Sequence, residues 1–150
     1  MTVNNISIER MQSSDIAAVA KAEKTYFSTP WNDRDLSKSL ESDTTVFWLA
    51  KAEGELVGYI SRMHSFETMD ILTICVFEQY RRNGIASRLL AHLEREAGEK
   101  GVEKIFLEVR ESNLGARTLY ENNGYQLIST RNRYYSSPVE DALILQKEIV

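Results

Sequence analysis

A basic turn in the middle of the chain carries residue types that bind phosphate. Arg81-Arg82-Asn83-Gly84 follows an apolar, β-branched run that ends at Val76, and it precedes a segment with helical apolar spacing. The apolar positions of that segment are Ile85, Leu89, Leu90, Leu93 and Ala97. The first N–H groups of a helix lack intrahelical acceptors and carry the positive end of the macrodipole. Because Gly84 also permits close backbone approach, we predict a phosphate site, against the alternative of an ordinary helix start with solvated arginines.

A carboxylate and a phenol form a second candidate pair. Glu108 lies inside the apolar run Lys104 to Arg110, and Tyr120 lies on the predicted helix that follows. A buried carboxyl group has a raised pKa and can act as a base near neutral pH. The alternation of the strand alone instead favours a Glu108 side chain that faces solvent. Tyr120 could likewise be a core aromatic residue whose hydroxyl finds a partner.

Neither a cysteine nucleophile nor a metal site is expected. Cys75, the single cysteine, lies in an apolar strand, where a thiol is usually an inert small hydrophobe. The two histidines, His64 and His92, are far apart in the sequence, which argues against a metal centre. One cysteine cannot form an internal disulfide, and this suits a reducing compartment.

Length and composition predict one globular domain over residues 1–150. The chain has 43% hydrophobic and 27% charged residues, as ordinary globular proteins do. No apolar segment approaches the roughly 20 residues of a membrane span, and no signal-peptide pattern is present, so we expect a cytoplasmic protein without membrane association. The net charge of −4 argues against nucleic-acid binding and permits a basic peptide or amine as partner. The sequence does not predict the oligomeric state.

The elements predicted around these residues form a mixed sheet flanked by helices. The predicted strands cover residues 6–9, 45–51, 56–63, 71–76, 104–110, 125–135 and 142–148. Ser13 or Ser14, Asn32, and Ser112 or Asn113 are candidate caps of three further helices. Residues 26–31 form an aromatic connector, which is a candidate lid or core plug. The unit of strand, helix and strand around the basic turn implies parallel pairing.

The segment around Glu108 resembles a family signature. It is similar to the LEVR-x-SN-x-x-A-x-x-LYE-x-x-GF block of RimI-like ribosomal-protein-alanine N-acetyltransferases, which belong to the GNAT family of acetyl-CoA-dependent N-acetyltransferases. The matching residues are Leu107-Glu108-Val109-Arg110, Ser112-Asn113, Ala116, Leu119-Tyr120-Glu121 and Gly124-Tyr125. The turn Arg81-x-x-Gly84-x-Ala86 resembles the R/Q-x-x-G-x-G/A loop of that family. Further landmarks are Pro30-Trp31, Arg131-x-x-Tyr134-Tyr135 and Glu140-Asp141-Ala142, so the likeness covers nearly the whole chain.

The resemblance implies the GNAT acyl-CoA N-acyltransferase fold, a mixed α/β (α+β) sheet of about seven strands and four helices with splayed central parallel strands. It implies acetyl-CoA as co-substrate, Glu108 as general base and Tyr120 as general acid. The implied cofactor contacts are Ile74, Cys75 and Val76 for the pantetheine arm, Arg81, Arg82, Asn83, Gly84, Ile85, Ala86 and Ser87 for the diphosphate, and Asn113 for the CoA arm. Candidate acceptor contacts are Phe27, Trp31, Glu67 and Tyr134.

The implied reaction is direct attack of an amine on the thioester of acetyl-CoA. At pH 7 a peptide α-amine, with a pKa of about 7.7 to 8.0, costs about 1 kcal/mol to deprotonate, against about 4.6 kcal/mol for lysine. This difference favours a protein N-terminus as acceptor. The alternatives are a small amine, such as a polyamine or amino sugar, and a non-catalytic acyl-CoA-binding module.

Three features depart from the family pattern. Phe77-Glu78-Gln79 stands where an Asp-Pro pair is usual, and Ala86 stands where Gly is commoner. The loop from Ser136 to Val139 is shorter than in the ribosomal enzymes. Because this loop lines the acceptor pocket in the family, the third departure bears on the identity of the acceptor.

Overall fold

A seven-stranded sheet with helices on both faces forms the protein, in a computed structural model that describes residue 3 and residues 5–149. The strands are β1 (Ile6–Arg10), β2 (Thr45–Ala52), β3 (Glu55–Ser65), β4 (Thr68–Val76), β5 (Lys104–Arg110), β6 (Gln126–Tyr135) and β7 (Glu140–Glu148). The α-helices are α1 (Ile16–Tyr26), α2 (Asp33–Ser39), α3 (Ile85–Glu99) and α4 (Leu114–Asn122). Single 3₁₀ turns, Ser13–Asp15 and Glu78–Tyr80, precede α1 and α3.

The order of the strands is β1-β2-β3-β4-β5-β7-β6. Every neighbouring pair is antiparallel except β4 and β5, which α3 connects and which lie parallel. The predicted mixed sheet is therefore confirmed.

The central parallel strands pair only at their beginnings. Their register runs from Thr68 opposite Lys104 to Ile71 opposite Leu107, and the two strands separate beyond that point. A register shift between β3 and β4 lies at the same place, because Arg62 pairs with Ile71 while Ser61 pairs with Thr73. Such a bulge bends a strand. The predicted splay of the central strands is confirmed.

Two apolar clusters pack on opposite faces of the sheet. On one face α3 buries the residues that its periodicity singled out, Ile85, Leu89, Leu90, Leu93 and Ala97, together with Tyr120 of α4. On the other face α1 and α2 contribute Val19, Ala20 and Leu36 against Phe47, Leu49 and Tyr59 of the sheet. Strand β4 contributes to both cores, with Met69 and Ile71 in the first and Cys75 in the second.

Element boundaries agree with the sequence patterns apart from two corrections. Strand β4 begins at Thr68, before the apolar run on which its prediction rested. Neither Ser13 nor Ser14 caps α1; the Gln12 N–H donates to the Asp15 carboxylate at 2.8 Å instead. Asn32 caps α2 as predicted, and Asn113, rather than Ser112, caps α4. No helix in residues 5–149 is both long and apolar enough to cross a membrane.

A buried ion pair joins the sheet to α3. Arg62 of β3 is only 2% exposed, and its Nε and Nη2 donate to the two carboxylate oxygens of Glu96, each at 2.9 Å. Its Nη1 donates to the carbonyl oxygen of Thr44, and Trp48 Nε1 donates to Glu96 as well. Burial alone would raise the pKa of Glu96, but the hydrogen bonds and charge of Arg62 hold it below its ordinary value.

We predict that Glu96→Gln lowers the free energy of unfolding by about 3 kcal/mol at pH 7, because it leaves the Arg62 charge buried without a counter-ion. Since the folded pKa of Glu96 lies below its ordinary value of 4.5, the ion pair stabilises above pH 4.5 and loses its effect as the pH falls below that. Urea unfolding at several pH values measures the difference between wild type and variant. A difference independent of pH, or one that grows on acidification, would contradict this account.

Candidate active site

A cleft of about 710 Å³ opens where β4 and β5 separate. It gathers seven of the residues singled out in the sequence, Phe27, Trp31, Ile74, Glu108, Asn113, Tyr120 and Tyr134. Glu67 does not line this cleft; it lies in the exposed turn between β3 and β4, where its carbonyl oxygen accepts a hydrogen bond from the Glu103 N–H at 2.7 Å. The sheet therefore brings together residues from five separate segments, but not that carboxylate.

The basic turn before α3 presents free backbone amides. Arg82 and Gly84 have left-handed φ angles of 65° and 72°, and the side-chain amide of Asn83 donates to the carbonyl oxygens of Tyr80 and Arg81. None of the backbone N–H groups of residues 82–87 donates to another atom of the described chain. A cavity of about 190 Å³ lies beside them, and free amides at the start of a helix are a geometry that can bind an anion.

The second half of β4 has an open edge toward β5. Ile74, Cys75 and Val76 pair with β3 on one side and have no partner in β5 on the other. An extended ligand can bind such an edge as an added strand. Arg81 lies close to this edge, since its Nε donates to the Val76 carbonyl oxygen at 3.0 Å.

Gly58 permits the close packing of β3 against this part of β4. A Cβ atom at Gly58 would lie 2.7 Å from the carbonyl oxygen of Cys75. The sequence patterns used above do not single out Gly58, although a glycine inside a strand pattern is a known signal of close backbone approach.

The Cys75 side chain lies in the core and does not line the cleft. It belongs to the cluster under α1, and burial raises the pKa of its thiol to about 11. The thiol is therefore protonated at neutral pH, which agrees with the prediction that it is not a nucleophile.

Glu108 is open to the cleft and paired with an arginine. Its side chain is 34% exposed, and its Oε1 lies 3.5 Å from Nη1 of Arg131 on β6. The argument from sequence for Glu108 as a base required a buried carboxylate. The carboxylate is not buried, so that expectation is wrong. The Arg131 contact could not be predicted from local sequence, because it crosses from β5 to β6 over β7.

Tyr120 is buried at the cleft wall and is held as a neutral phenol. Its ring packs edge to face against Tyr125, and no hydrogen bond joins its hydroxyl to any other residue that the structure describes. Burial, with a smaller contribution from Tyr135, raises the pKa of Tyr120 well above its ordinary value of 10.0. The phenol therefore keeps its proton across the physiological range and can donate it to a ligand.

Asp70 adds negative charge near Glu108. Burial raises the pKa of this half-buried carboxyl group, and the charge of Glu108 raises it further. Because two carboxylates share this region, a cationic or basic amine is favoured there over an anion.

The aromatic connector after α1 forms one wall of the cleft and is tied to the core. The backbone N–H of Trp31 donates to Oε1 of the buried Glu23 at 3.0 Å, and the Tyr59 hydroxyl donates to Oε2 at 2.6 Å. The Trp31 ring packs edge to face on Phe47, while Phe27 also lines the cleft. Of the two predicted roles, lid and core plug, the contacts of Trp31 match the core plug, and the connector also lines the cleft. Glu23 lines the cleft too, and the sequence did not reveal this role.

Arg110 fixes the opposite wall. Its guanidinium donates to the carbonyl oxygens of Ser136 and Pro138 and to the Glu140 carboxylate, at 3.1 to 3.2 Å. It also lies over the Tyr135 ring, with Cζ 4.4 Å from the centroid. The short loop between β6 and β7 is therefore held in place next to Glu108.

Comparisons with known proteins agree with this geometry. Residues 16–125 match the family described as Acetyltransferase (GNAT) family. The chain is 28% identical over 141 residues to the [ribosomal protein bS18]-alanine N-acetyltransferase of Escherichia coli strain K12, covering 93% of this chain and 95% of that protein. The crystal structure of the ribosomal-protein-S18-alanine N-acetyltransferase from Escherichia coli superimposes with a TM-score of 0.87 at 26% identity, covering 97% of this chain and 94% of that one. Ard1 from Thermoplasma volcanium shares the fold, with a TM-score of 0.85 at 23% identity over 97% and 98% of the two chains.

We predict that Ala86→Asp weakens CoA binding at least tenfold, or about 1.4 kcal/mol, because it adds a negative charge beside the free amides. A carboxylate in the first turn of a helix is favourable to the helix itself, so the fold is preserved. Calorimetric titration with CoA measures the affinity, and Ala86→Asn, which adds the same bulk without the charge, is the matched control. An Ala86→Asp variant that binds CoA as tightly as Ala86→Asn would rule out the diphosphate at this turn.

Proposed function

The chain belongs to the acetyltransferase (GNAT) family, and we propose that its acceptor is the α-amine at the N-terminus of a polypeptide that begins with alanine. It is an acetyl-CoA-dependent N-acetyltransferase. The proposal for the acceptor draws on the Escherichia coli relative, whose name specifies alanine of ribosomal protein bS18 and which aligns over almost its whole length. It also draws on the lower cost of deprotonating an α-amine than a lysine.

The observation that carries the proposal is the set of groups around the cleft between the two separated strands. Free amides of residues 82–87 lie past the end of β4, Glu108 lies on β5, and Tyr120 lies on α4. A donor molecule with a diphosphate at one end and a thioester at the other fits this layout. In our proposal the amides of residues 82–87 hold the diphosphate, the open edge of Ile74 to Val76 pairs with the pantetheine amides, and Asn113 adjoins the arm.

Glu108 and Tyr120 have complementary proton roles in the proposed reaction. Glu108 accepts a proton from the attacking ammonium, directly or through water, and the neutral nitrogen forms a bond to the thioester carbonyl carbon. A backbone N–H of β4 stabilises the oxyanion. The carbon–sulfur bond then breaks, and Tyr120 gives its proton to the departing thiolate of CoA. The nitrogen loses its second proton, through water, to the Tyr120 phenolate, and Glu108 returns its proton to solvent. Arg131 keeps the Glu108 carboxylate oriented toward the cleft.

The walls of the cleft suit a polypeptide better than a small amine. Phe27 and Trp31 on one side and Tyr134 on the other present aromatic faces, and Glu108 lies between them. An extended chain can pass between two such walls while its terminal amine reaches the carboxylate. A free polyamine would leave these faces without a partner.

We expect a peptide that begins with alanine and contains basic residues to release CoA thiol from acetyl-CoA at least tenfold faster than free polyamines at equal concentration. Thiol release is followed spectrophotometrically, with a no-acceptor reaction as background. The same peptide with a blocked N-terminus is the control for lysine acetylation. Equal rates with the blocked peptide, or faster turnover of polyamines, would reject the N-terminal acceptor.

We expect Glu108→Gln to lower kcat/KM most strongly at low pH. An α-amine with a pKa near 8 arrives mostly protonated below neutrality and needs a base, whereas it arrives neutral above pH 8 and needs none. The ratio of wild-type to variant kcat/KM, measured from pH 6 to 9, should therefore fall as the pH rises. A ratio near one at pH 6 would show that Glu108 is not the base.

We expect Tyr120→Phe to reduce kcat about 100-fold, since general acid catalysis contributes about 10² to 10⁴ in rate. The phenyl ring keeps the packing on Tyr125, so the affinity for CoA should stay within twofold of the wild type. Tyr125→Phe, which removes a hydroxyl bonded to Glu94 outside the cleft, is the matched control. Equal kcat values for the two variants would remove Tyr120 from the mechanism.

A further inference from the structure

Asp70 is a half-buried carboxylate that the reaction described above does not use. It lies on β4 directly before Ile71, the first residue of that strand to line the cleft. Neither a hydrogen bond nor an ion pair joins its side chain to another residue in the described part of the chain. Partial burial of an unpaired carboxylate costs free energy, and a cationic ligand beside it would offset that cost.

The side chain of Asp70 lies on the same face of the sheet as Glu108. Its neighbours Met69 and Ile71 belong to the core under α3, so Asp70 is on the opposite face. Its register partner on β5 is Phe106, and Glu108 is the next residue of β5 on that face. Burial raises the pKa of Asp70, and the charge of Glu108 raises it further, which agrees with this placement.

Glu108 has a cationic partner within the protein, whereas Asp70 has none in the part of the chain that the structure describes. Arg131 approaches Glu108 from the β6 side, with 3.5 Å between Nη1 and Oε1, and Asp70 lies on the β4 side. Since Arg131 offsets the charge of Glu108, the two carboxylates and the guanidinium together leave one net negative charge. A second cation of the acceptor is therefore attracted toward Asp70.

Apolar side chains flank Asp70 on this face of the sheet. Met63 of β3 is its register partner on one side and is 40% exposed, while the half-buried Phe106 lies on the other side. Leu72, which is also 40% exposed, lines the cleft two residues further along β4. A carboxylate between apolar side chains suits a long basic side chain, whose methylene stem packs on apolar surface while its charged end reaches a polar partner.

We propose that Asp70 selects acceptors whose second residue is basic, because it binds the charged end of that side chain. The inference rests on the proposed function, which places the N-terminal amine at Glu108. The Cα atoms of Asp70 and Glu108 are about 8 Å apart, from a strand spacing of about 4.8 Å and a rise of about 3.3 Å per residue. One residue of extended chain spans about 3.5 Å, and an arginine or lysine side chain covers the rest.

The first test compares two alanine-starting peptides of identical composition. One has arginine as second residue and glutamine as sixth, and the other has these two residues exchanged, so that their net charges are equal. Arginine is chosen because its guanidinium is always charged. Thiol release is measured in 0.15 M salt, where a Debye length of about 8 Å screens the general attraction of a basic peptide.

The wild type should turn over the peptide with arginine in second place at least tenfold more efficiently, as kcat/KM, than its partner. In Asp70→Asn, which keeps the shape of the side chain and removes its charge, this ratio should fall below threefold. Glu103→Gln removes an exposed carboxylate just before β5 and is the matched control, which should keep the wild-type ratio. A ratio near one in the wild type, or an undiminished ratio in Asp70→Asn, would overturn the proposal.

The second test distinguishes a ligand-binding role of Asp70 from a structural one. Because no residue of the described chain pairs with this carboxylate, Asp70→Asn should unfold at the same urea concentration as the wild type at pH 7, or at a higher one. A lower urea midpoint would show that the carboxylate stabilises the free protein, and the change in peptide preference would then not be evidence for direct binding.

A failure of this inference is distinguishable from a failure of the proposed function. If both peptides are turned over equally, the role of Asp70 is rejected and the N-terminal acceptor stands. If neither peptide is turned over while polyamines are, the proposed acceptor is rejected, and the role of Asp70 is rejected with it.

Discussion

The separation of β4 from β5 after Ile71 is the constraint on which the rest of the structure depends. Up to that point the two strands share a parallel ladder, and beyond it each presents an unpaired edge to the same cleft. The register shift opposite Arg62 bends β4 away, and Gly58 lets β3 follow the bent strand closely. A continuous sheet at this place would leave no edge for an extended ligand and no space between Glu108 and Tyr120.

The environment of each functional group follows from its distance from that opening. Tyr120 packs under the cleft wall, so burial keeps its phenol protonated, whereas Glu108 on the open part of β5 stays in contact with solvent and Arg131. The Cys75 thiol lies on the opposite side of β4 from this chemistry, in the core under α1. The opening between β4 and β5 therefore has three different environments around it: a buried phenol at Tyr120, a carboxylate open to solvent at Glu108 and a buried thiol at Cys75.

Local sequence signals predicted the helices and strands, whereas contacts between distant parts of the chain determine the surroundings of the site residues. The helical spacing from Ile85 to Ala97 and the cap at Asn113 depend on residues a few positions apart, and both are confirmed. Tyr59, Arg62 and Arg131, which contact Glu23, Glu96 and Glu108, lie far from them in sequence. Local sequence patterns therefore could not predict these contacts. Glu67 was a candidate only because it precedes β4, and the hairpin turn carries it away from the cleft. The early start of β4 was hidden because Thr68 and Asp70 interrupt the apolar run.

A crystal structure of the complex with CoA and an alanine-starting peptide tests the central claim most directly. The account predicts that the diphosphate accepts hydrogen bonds from the amides of residues 82–87, and that the sulfur lies between β4 and β5 within reach of the Tyr120 hydroxyl. It further predicts the peptide amine beside Glu108. A diphosphate bound elsewhere, or a sulfur atom separated from Tyr120 by protein atoms, would contradict the account.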